Sequence, residues 1–314
     1  MSNLESREFD IGYLAGLVDG EGYIFVRYTK QSDRTRPQLR IYCTSHLVID
    51  GACRIMGVNS HPRRDHGKLV GWVASVQGKK ALETMRAIAP SLKDTSKRCR
   101  ALTALKIFDS KVSIRGRHPS SEVFFHCPPP ARLRGERMKQ QDHAIEPSSI
   151  ARDTIPFPKS RNSQKLQHLN LRTPSETSDL QKGWLCGIVD GEGYIHVRYR
   201  RDRDAMYPRL RIFVKSKTII DAAAQVLGVN PYARRSHGKH LGWYASVSHL
   251  KALSVLRLIT PHLLEPSKRC RAKKILDRFG EIGTIHSRLI SSDFFRDCPP
   301  PARVRESGSV INGK

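Results

Sequence analysis

The chain is predicted to be an α+β protein built from two αββαββα units related by a pseudo-twofold axis. Three observations carry that prediction. The sequence repeats itself at an offset of 171 residues, the distance from Asp19 to Asp190, and the offset holds without a gap from residue 13 to residue 134. Roughly half of the aligned positions are identical, among them "SKRCRA", "CPPPAR" and most of "GVNSHPRRDHGKLVGWVASV" against "GVNPYARRSHGKHLGWYASV". Each copy also alternates helical and strand patterns, which argues for antiparallel pairs packed against helices. Finally, residues 135–177 are polar, rich in Pro and Ser, and without sustained apolar periodicity, as expected of a linker. The expected organisation is a first unit over 1–134, a linker over 135–177 and a second unit over 178–314. A repeat of two is too short for a solenoid and fits two similar halves, arranged as the subunits of a homodimer would be.

The first helix is expected over about residues 8–19, and its second copy is expected to start near Ser178, where Ser178 and Gln181 form a capping box. "YIFVRY" and "PQLRIYC" alternate apolar and polar residues as strands do. "LVIDGACRIMG" is helical and ends at a glycine. "WVASV" is a strand paired through the "HGK" turn with residues near 58–64, and "GKKALETMRAIAP" and "SKRCRALTALKIFD" complete the unit as helices.

In the first helix Gly12, Gly16 and Gly20 recur every four residues, and Gly183, Gly187 and Gly191 do the same in the second copy. Positions i and i+4 share a helix face, so each helix carries a stripe without side chains. Interior glycine costs about 0.5–1 kcal/mol relative to alanine, a cost that close backbone approach offsets. The economical arrangement packs the two helices on each other; the alternative lays each stripe under its own sheet. Helix-to-helix packing brings Asp19, Glu21, Asp190 and Glu192 together near the pseudo-twofold axis. Converging carboxylates repel unless cations neutralise them, and oxygen ligands favour hard divalent ions such as Mg²⁺ or Mn²⁺. A calcium-binding EF-hand is excluded, because "DGEG" lacks the rest of that loop and its terminal Glu. A plain helix stop explains one copy adequately, but not two copies on glycine ladders.

The chain holds 55 Lys and Arg against 29 Asp and Glu, a formal charge of +26 that makes nucleic acid the expected partner. There is no apolar run long enough to span a membrane, and "MSNLESREFD" lacks the features of a signal or transit peptide. The expected location is intracellular: the cytoplasm and nucleoid, or the matrix of an organelle if the gene is organellar. Seven cysteines, none in a CxxC pair, predict reduced thiols rather than a disulfide scaffold or zinc site. Cys127 and Cys298, both in "CPPPAR", are expected to serve packing or turns.

"LAGLVDGEG" at 14–22 and "LCGIVDGEG" at 185–193 resemble the LAGLIDADG motif of homing endonucleases. Two motifs in one chain resemble the monomeric, pseudosymmetric members, and the resemblance covers both repeat units. It implies antiparallel sheets forming a DNA-binding saddle, with the motif helices packed at the interface. It also implies metal binding by the last acidic residue of each motif, here Glu21 and Glu192, with Gly20 and Gly191 included in the metal site. Both glutamates depart from the motif's aspartate by one methylene, and Cys186 stands where the motif has alanine. Asp19 and Asp190 match the earlier acidic position and are assigned to helix capping at the interface. The family's lysine near the metal site corresponds to Lys97 and Lys268. Independently, with Ser96 or Ser267 as N-cap, basic residues crowd a helix start where the dipole disfavours cations, which suggests a nearby phosphate.

Strand alternation places Ile24, Val26, Leu39 and Ile41 on the core face, with Ile195, Val197, Leu210 and Ile212 in the second copy. The opposite face presents Phe25, Arg27, Arg40 and Tyr42, answered by His196, Arg198, Arg211 and Phe213, and Arg there can read guanine in a major groove. Arg63, Arg64, His66 and Lys68, with Arg234, Arg235, His237 and Lys239, are expected to add contacts from the second hairpin. Trp72 and Trp243 are assigned to the core ahead of base stacking. The expected function is site-specific, metal-dependent double-strand DNA cleavage at a long, partly palindromic target, by a monomer. Assistance to intron RNA splicing and DNA binding without catalysis are the alternatives.

Overall fold

A computed structural model describes residues 3–109, 112–129, 177–237, 239–280, 282–286 and 294–300. Residues 135–176 of the expected linker lie outside them. The chain forms the α+β architecture expected from the alternation of helical and strand patterns, twice over. The first unit runs α1 (Asn3–Glu21), β1 (Gly22–Thr29), β2 (Arg34–Cys43), α2 (His46–Met56), β3 (His61–Asp65), β4 (Lys68–Gln77), α3 (Lys79–Ile88) and α4 (Thr95–Phe108), followed by a short strand β5 (Ile114–Arg115) and one turn of helix, α5 (Ser120–Val123). The second runs α6 (Asp179–Glu192), β6 (Gly193–Arg200), β7 (Ala205–Val214), α7 (Lys217–Leu227), β8 (Tyr232–Ser236), β9 (Lys239–Ser248), α8 (His249–Ile259), α9 (Pro266–Phe279) and β10 (Ile285–His286).

Each half builds one antiparallel sheet. In the first, the order is β1-β2-β4-β3 with β5 paired to β2; in the second, β7 lies between β6 and β9, β8 follows β9, and β10 joins β7. Registers match between copies: Tyr23 faces Arg40 and Tyr194 faces Arg211. Alternation sorts the strands as the pattern predicts. Ile24, Val26, Leu39 and Ile41, and their counterparts Ile195, Val197, Leu210 and Ile212, are buried under the helices. The opposite face carries Phe25, Arg27, Arg40 and Tyr42, all partly or well exposed.

Local chemistry explains the element ends. The Ser178 hydroxyl accepts from the Gln181 amide, opening α6 as its sequence predicts. Helices α2 and α7 stop at Gly57 and Gly228, both in the left-handed region at φ near 60°. The β3–β4 hairpin turns through His66 and Gly67, both at positive φ, as the right-handed twist of paired strands requires. Helix α1 starts at Asn3 rather than near residue 8 and runs through Glu21.

Two features extend or correct the sequence reading. The segment after α4 closes the sheet: the Ser120 hydroxyl accepts from the Val26 amide at 3.1 Å, capping the otherwise open edge of β1. The cysteines of "KRCRA" and "CPPPAR" are not separate thiols. Cys99 is bonded to Cys127, and Cys270 to Cys298, with Cα atoms 5.6 and 5.7 Å apart. Partners separated by 28 residues carry no short-range signature, and only the tertiary fold brings Cys127 and Cys298 against α4 and α9. His126 stands beside the first pair, its ring nitrogen within 4.8 Å of both sulfurs.

Candidate active site

The glycine ladders face each other. A Cβ on Gly12 or Gly16 would stand 2.1 Å from the carbonyl oxygens of Leu180 or Trp184, and one on Gly183 or Gly187 would meet those of Phe9 or Tyr13 at the same distance. The stripe therefore lies on the other helix, not under its own sheet. The last rung differs: Gly20 faces the Glu192 Cγ at 3.3 Å, and Gly191 faces the Glu21 Cγ at 3.3 Å. Each glutamate thus lies across the end of the opposite helix, and the two carboxylates share one place.

Asp19 and Asp190, 1% exposed, fasten this crossing. Asp19 accepts from the amides of Lys93 and Asp94, which lead into α4, and from the Trp184 indole of the other half at 2.9 Å. Asp190 repeats the pattern with the amides of Leu264 and Glu265 and the Tyr13 hydroxyl at 2.9 Å. The aspartates thus tie the end of each motif helix to the loop before the last helix and to the partner motif helix. Burial pushes both carboxyls up, and these hydrogen bonds oppose the push.

The N-caps of α4 and α9 are not Ser96 and Ser267. The Asp94 carboxylate accepts from the Lys97 amide, and the Glu265 carboxylate from the Lys268 amide. Each carboxylate stands two residues before the serine, accepts from the amide three residues on, and offsets the basic first turn. Ser96 instead donates to the Pro128 carbonyl at 2.6 Å. The lysine side chains leave their own helix altogether. Lys97 Nζ donates to the carbonyls of Val18 and Asp19 at 2.9 and 2.5 Å, and Lys268 Nζ to those of Val189 and Asp190 at 2.9 and 2.6 Å. Each ammonium therefore sits at the C-terminal end of a motif helix, where unpaired carbonyls favour a cation.

Glu21, Glu192, Asp94, Lys97 and Lys215 line one cavity of about 240 Å³ at this junction. Burial raises the Glu21 carboxyl to about 7, with repulsion from Glu192 adding and Lys268 and Lys97 opposing. Burial raises Glu192 as well, and lowers Lys97. The two carboxylates crowd each other while Lys97, Lys268 and Lys215 attract them, and Lys97 and Lys268 also serve main-chain carbonyls. The donors are all oxygen, as a hard divalent cation requires, so the residues present fit such an ion.

The outer faces of the sheets are basic. Arg27, Arg40, Arg63, Arg64, His66 and Lys68 are exposed on one side, and Arg198, Arg234, Arg235, His237 and Lys239 on the other. Arg63 stacks on Tyr42 at 4.5 Å and Arg234 on Phe213 at 5.1 Å, so one ring on the central strand steadies a guanidinium from the outer strand. Phe25, Tyr42, His196, Arg211 and Phe213 are half-buried between these groups. Burial and the neighbouring arginines hold His196 down near 4, neutral at physiological pH. Trp72 and Trp243 are half-buried and pack against the core from its edge, with the His46 ring tilted over Trp72 at 3.7 Å and the Lys217 ammonium over Trp243. Tyr23 and Tyr194, 48% and 54% exposed, begin the same rows as Phe25 and His196, and strict alternation from Arg27 would have identified them. The Trp184 and Tyr13 donors, at equivalent repeat positions, give no sign in sequence of their cross-helix role.

No protein-family model matches the chain, and neither does any curated protein. Solved structures do resemble it. The LAGLIDADG homing endonuclease I-LtrWI bound to target DNA is 14% identical, with a TM-score of 0.50, over 87% of this chain and 90% of that one. The LAGLIDADG homing endonuclease I-GzeII in complex with its DNA target is 14% identical, with a TM-score of 0.47, over 85% and 88%. The meganuclease I-SmaMI is 12% identical, with a TM-score of 0.45, over 86% and 92%. At such identity the likeness is one of fold, and it extends over both halves.

Proposed function

We propose that the chain is a site-specific DNA endonuclease of the LAGLIDADG type, hydrolysing both strands of a long, partly palindromic duplex. The observation that carries this reading is the meeting of Glu21 and Glu192 across the last glycines of two packed helices, between two basic sheet faces. The fold shared with a DNA-bound homing endonuclease supports it.

Duplex DNA would lie along the sheets, with Arg27, Arg40, Arg198 and Arg211 turned to base edges and the hairpin residues Arg63, Arg64, Lys68, Arg234, Arg235 and Lys239 to phosphates and outer bases. Differences between Phe25 and His196, and between Tyr42 and Phe213, make the two half-sites unequal. Glu21 and Glu192, with the Gly20 and Gly191 carbonyls, would hold divalent ions, Mg²⁺ or Mn²⁺. Such ions, when bound, neutralise phosphate charge and supply activated water for hydrolysis. Asp19 and Asp190 hold the helix ends in register. Lys97 and Lys268 keep positive charge beside the scissile phosphates while fixing the carbonyls next to each glutamate.

The test is incubation of purified protein and Mg²⁺ with a randomised duplex library, followed by sequencing of the ends. Enrichment of one long target with defined double-strand ends is expected. Selective binding of a structured RNA with no DNA cleavage would replace this reading with a role in RNA splicing. Enrichment of bound duplex without cutting would leave a DNA-binding protein.

A further inference from the structure

The four cysteines that recur in both copies are the four that pair. Cys43, Cys53 and Cys186, whose repeat-equivalent positions hold Val214, Ala224 and Ala15, stay unpaired and buried. The two disulfides nevertheless sit in different chemistry. Beside Cys99 opens a cavity of about 430 Å³, lined by Arg98, Leu102, Thr103, Lys106 and His126 as well as by Cys99 itself. Cys127 is 8% exposed and does not line it. In the second half the positions of Thr103, Lys106 and His126 are Lys274, Asp277 and Asp297. There Lys274 pairs with Asp297 at 2.7 Å, and the cavity bounded by Lys274, Asp277 and Arg278 does not have Cys270 in its wall.

We propose that the cavity beside Cys99 binds a small anionic thiol that opens the Cys99–Cys127 disulfide while Cys270–Cys298 stays closed. Arg98, Lys106 and His126 give the cavity its preference for an anion, and Cys99 Sγ is the sulfur within reach. The incoming thiolate forms a bond to Cys99 Sγ as the bond from Cys99 to Cys127 breaks, and Cys127 leaves with the electron pair. The proton released when the small thiol ionises is the one Cys127 gains. The Thr103 hydroxyl, 3.6 Å from Cys127 Sγ and 2.9 Å from His126 Nε2, is placed to hydrogen-bond the leaving sulfur. A second small thiol then attacks its own kind in the mixed disulfide and frees Cys99 as a thiol. In all, one protein disulfide is reduced and two small thiols are oxidised to their disulfide. Opening the bond unties α4, which carries Lys97 in its first turn, from the segment that caps the edge of β1.

The experiment exposes the full native chain to glutathione, quenches in acid with alkylation, and maps each cysteine by peptide mass. A cationic thiol, cysteamine, is run in parallel, with rates corrected for thiolate fraction. The expected result is an adduct at Cys99 and opening of Cys99–Cys127 about tenfold or more faster than Cys270–Cys298. Combining Arg98→Glu with Lys106→Glu, both at exposed positions, should reverse the preference for glutathione over cysteamine. Equal rates at the two bonds, an unchanged preference in that variant, or recovery of Cys99 and Cys127 as thiols from protein purified without reductant would each overturn the proposal.

Discussion

The Trp184 indole donates to the Asp19 carboxylate at 2.9 Å, and the Tyr13 hydroxyl at the equivalent repeat position donates to Asp190 at 2.9 Å. Different side chains thus do one job, each reaching from one motif helix to the buried aspartate that ends the other. Trp184→Phe or Tyr13→Phe leaves a buried carboxylate short of one donor, a loss of about 1–3 kcal/mol. Thermal unfolding should fall in each variant by about 1.5 °C per kcal/mol, the shift that about 2.1 cal/mol/K of unfolding entropy per residue gives a chain of 314 residues. An unchanged midpoint would mean that the cross-helix bonds contribute nothing.

Substitutions along the ladder should separate packing from chemistry. Gly16→Ala drives a methyl into a backbone carbonyl at 2.1 Å, which cannot move aside, and should cost about 3 kcal/mol or more. Gly20→Ala meets only the side chains of Glu192 and Ile188 at 3.3 Å. It should unfold close to wild type in a thermal melt yet cleave DNA poorly, because the methyl displaces the Glu192 carboxylate. A melt in which the two variants behave alike would contradict the interface.

Much of this was legible in sequence because periodicity records burial. The four-residue glycine spacing located the helix interface, and the alternation of Ile24, Val26, Leu39 and Ile41 fixed which sheet face is core. The caps were less legible: Ser96 looks like an N-cap, but the Asp94 carboxylate two residues earlier takes that role by accepting from the Lys97 amide. The cysteine pairing and the Trp184 and Tyr13 contacts join residues remote in sequence, so no local pattern encodes them. The lysines' anchoring carbonyls are likewise tertiary, and a basic first turn taken alone suggested only a nearby phosphate.

The carboxylate pair makes a pH prediction for the metal-free protein. The Glu21 carboxyl lies near 7 when folded and near 4.5 when unfolded, so the folded state binds more protons between those values. Stability from this group is therefore present at low pH and lost as pH rises through that window. Glu21→Gln should melt at a higher temperature than wild type at pH 8 without metal, and the gap should close as pH falls below Glu21's folded-state value. A constant gap across the series would show that Glu21 is not protonated by its surroundings.

Lys97→Met keeps most of the unbranched side chain but removes the donor to the Val18 and Asp19 carbonyls. Two carbonyls at the end of α1 lose their partner, at a cost of about 1–3 kcal/mol. Cleavage should fall by about tenfold or more, while DNA binding at moderate salt changes little, since one lysine is a small part of the basic face. Comparable loss of binding and cutting would place Lys97 on the reading surface instead.

Under the proposed function, Glu21 and Glu192 form one shared hydrolytic site. Its most direct measurement compares wild type with the combined variant Glu21→Gln and Glu192→Gln on the selected target, following binding by gel shift and cutting with Mg²⁺ in parallel. Target binding should stay within a few-fold of wild type while cleavage falls by about a thousandfold or more. Cleavage that survives in the double variant would contradict it.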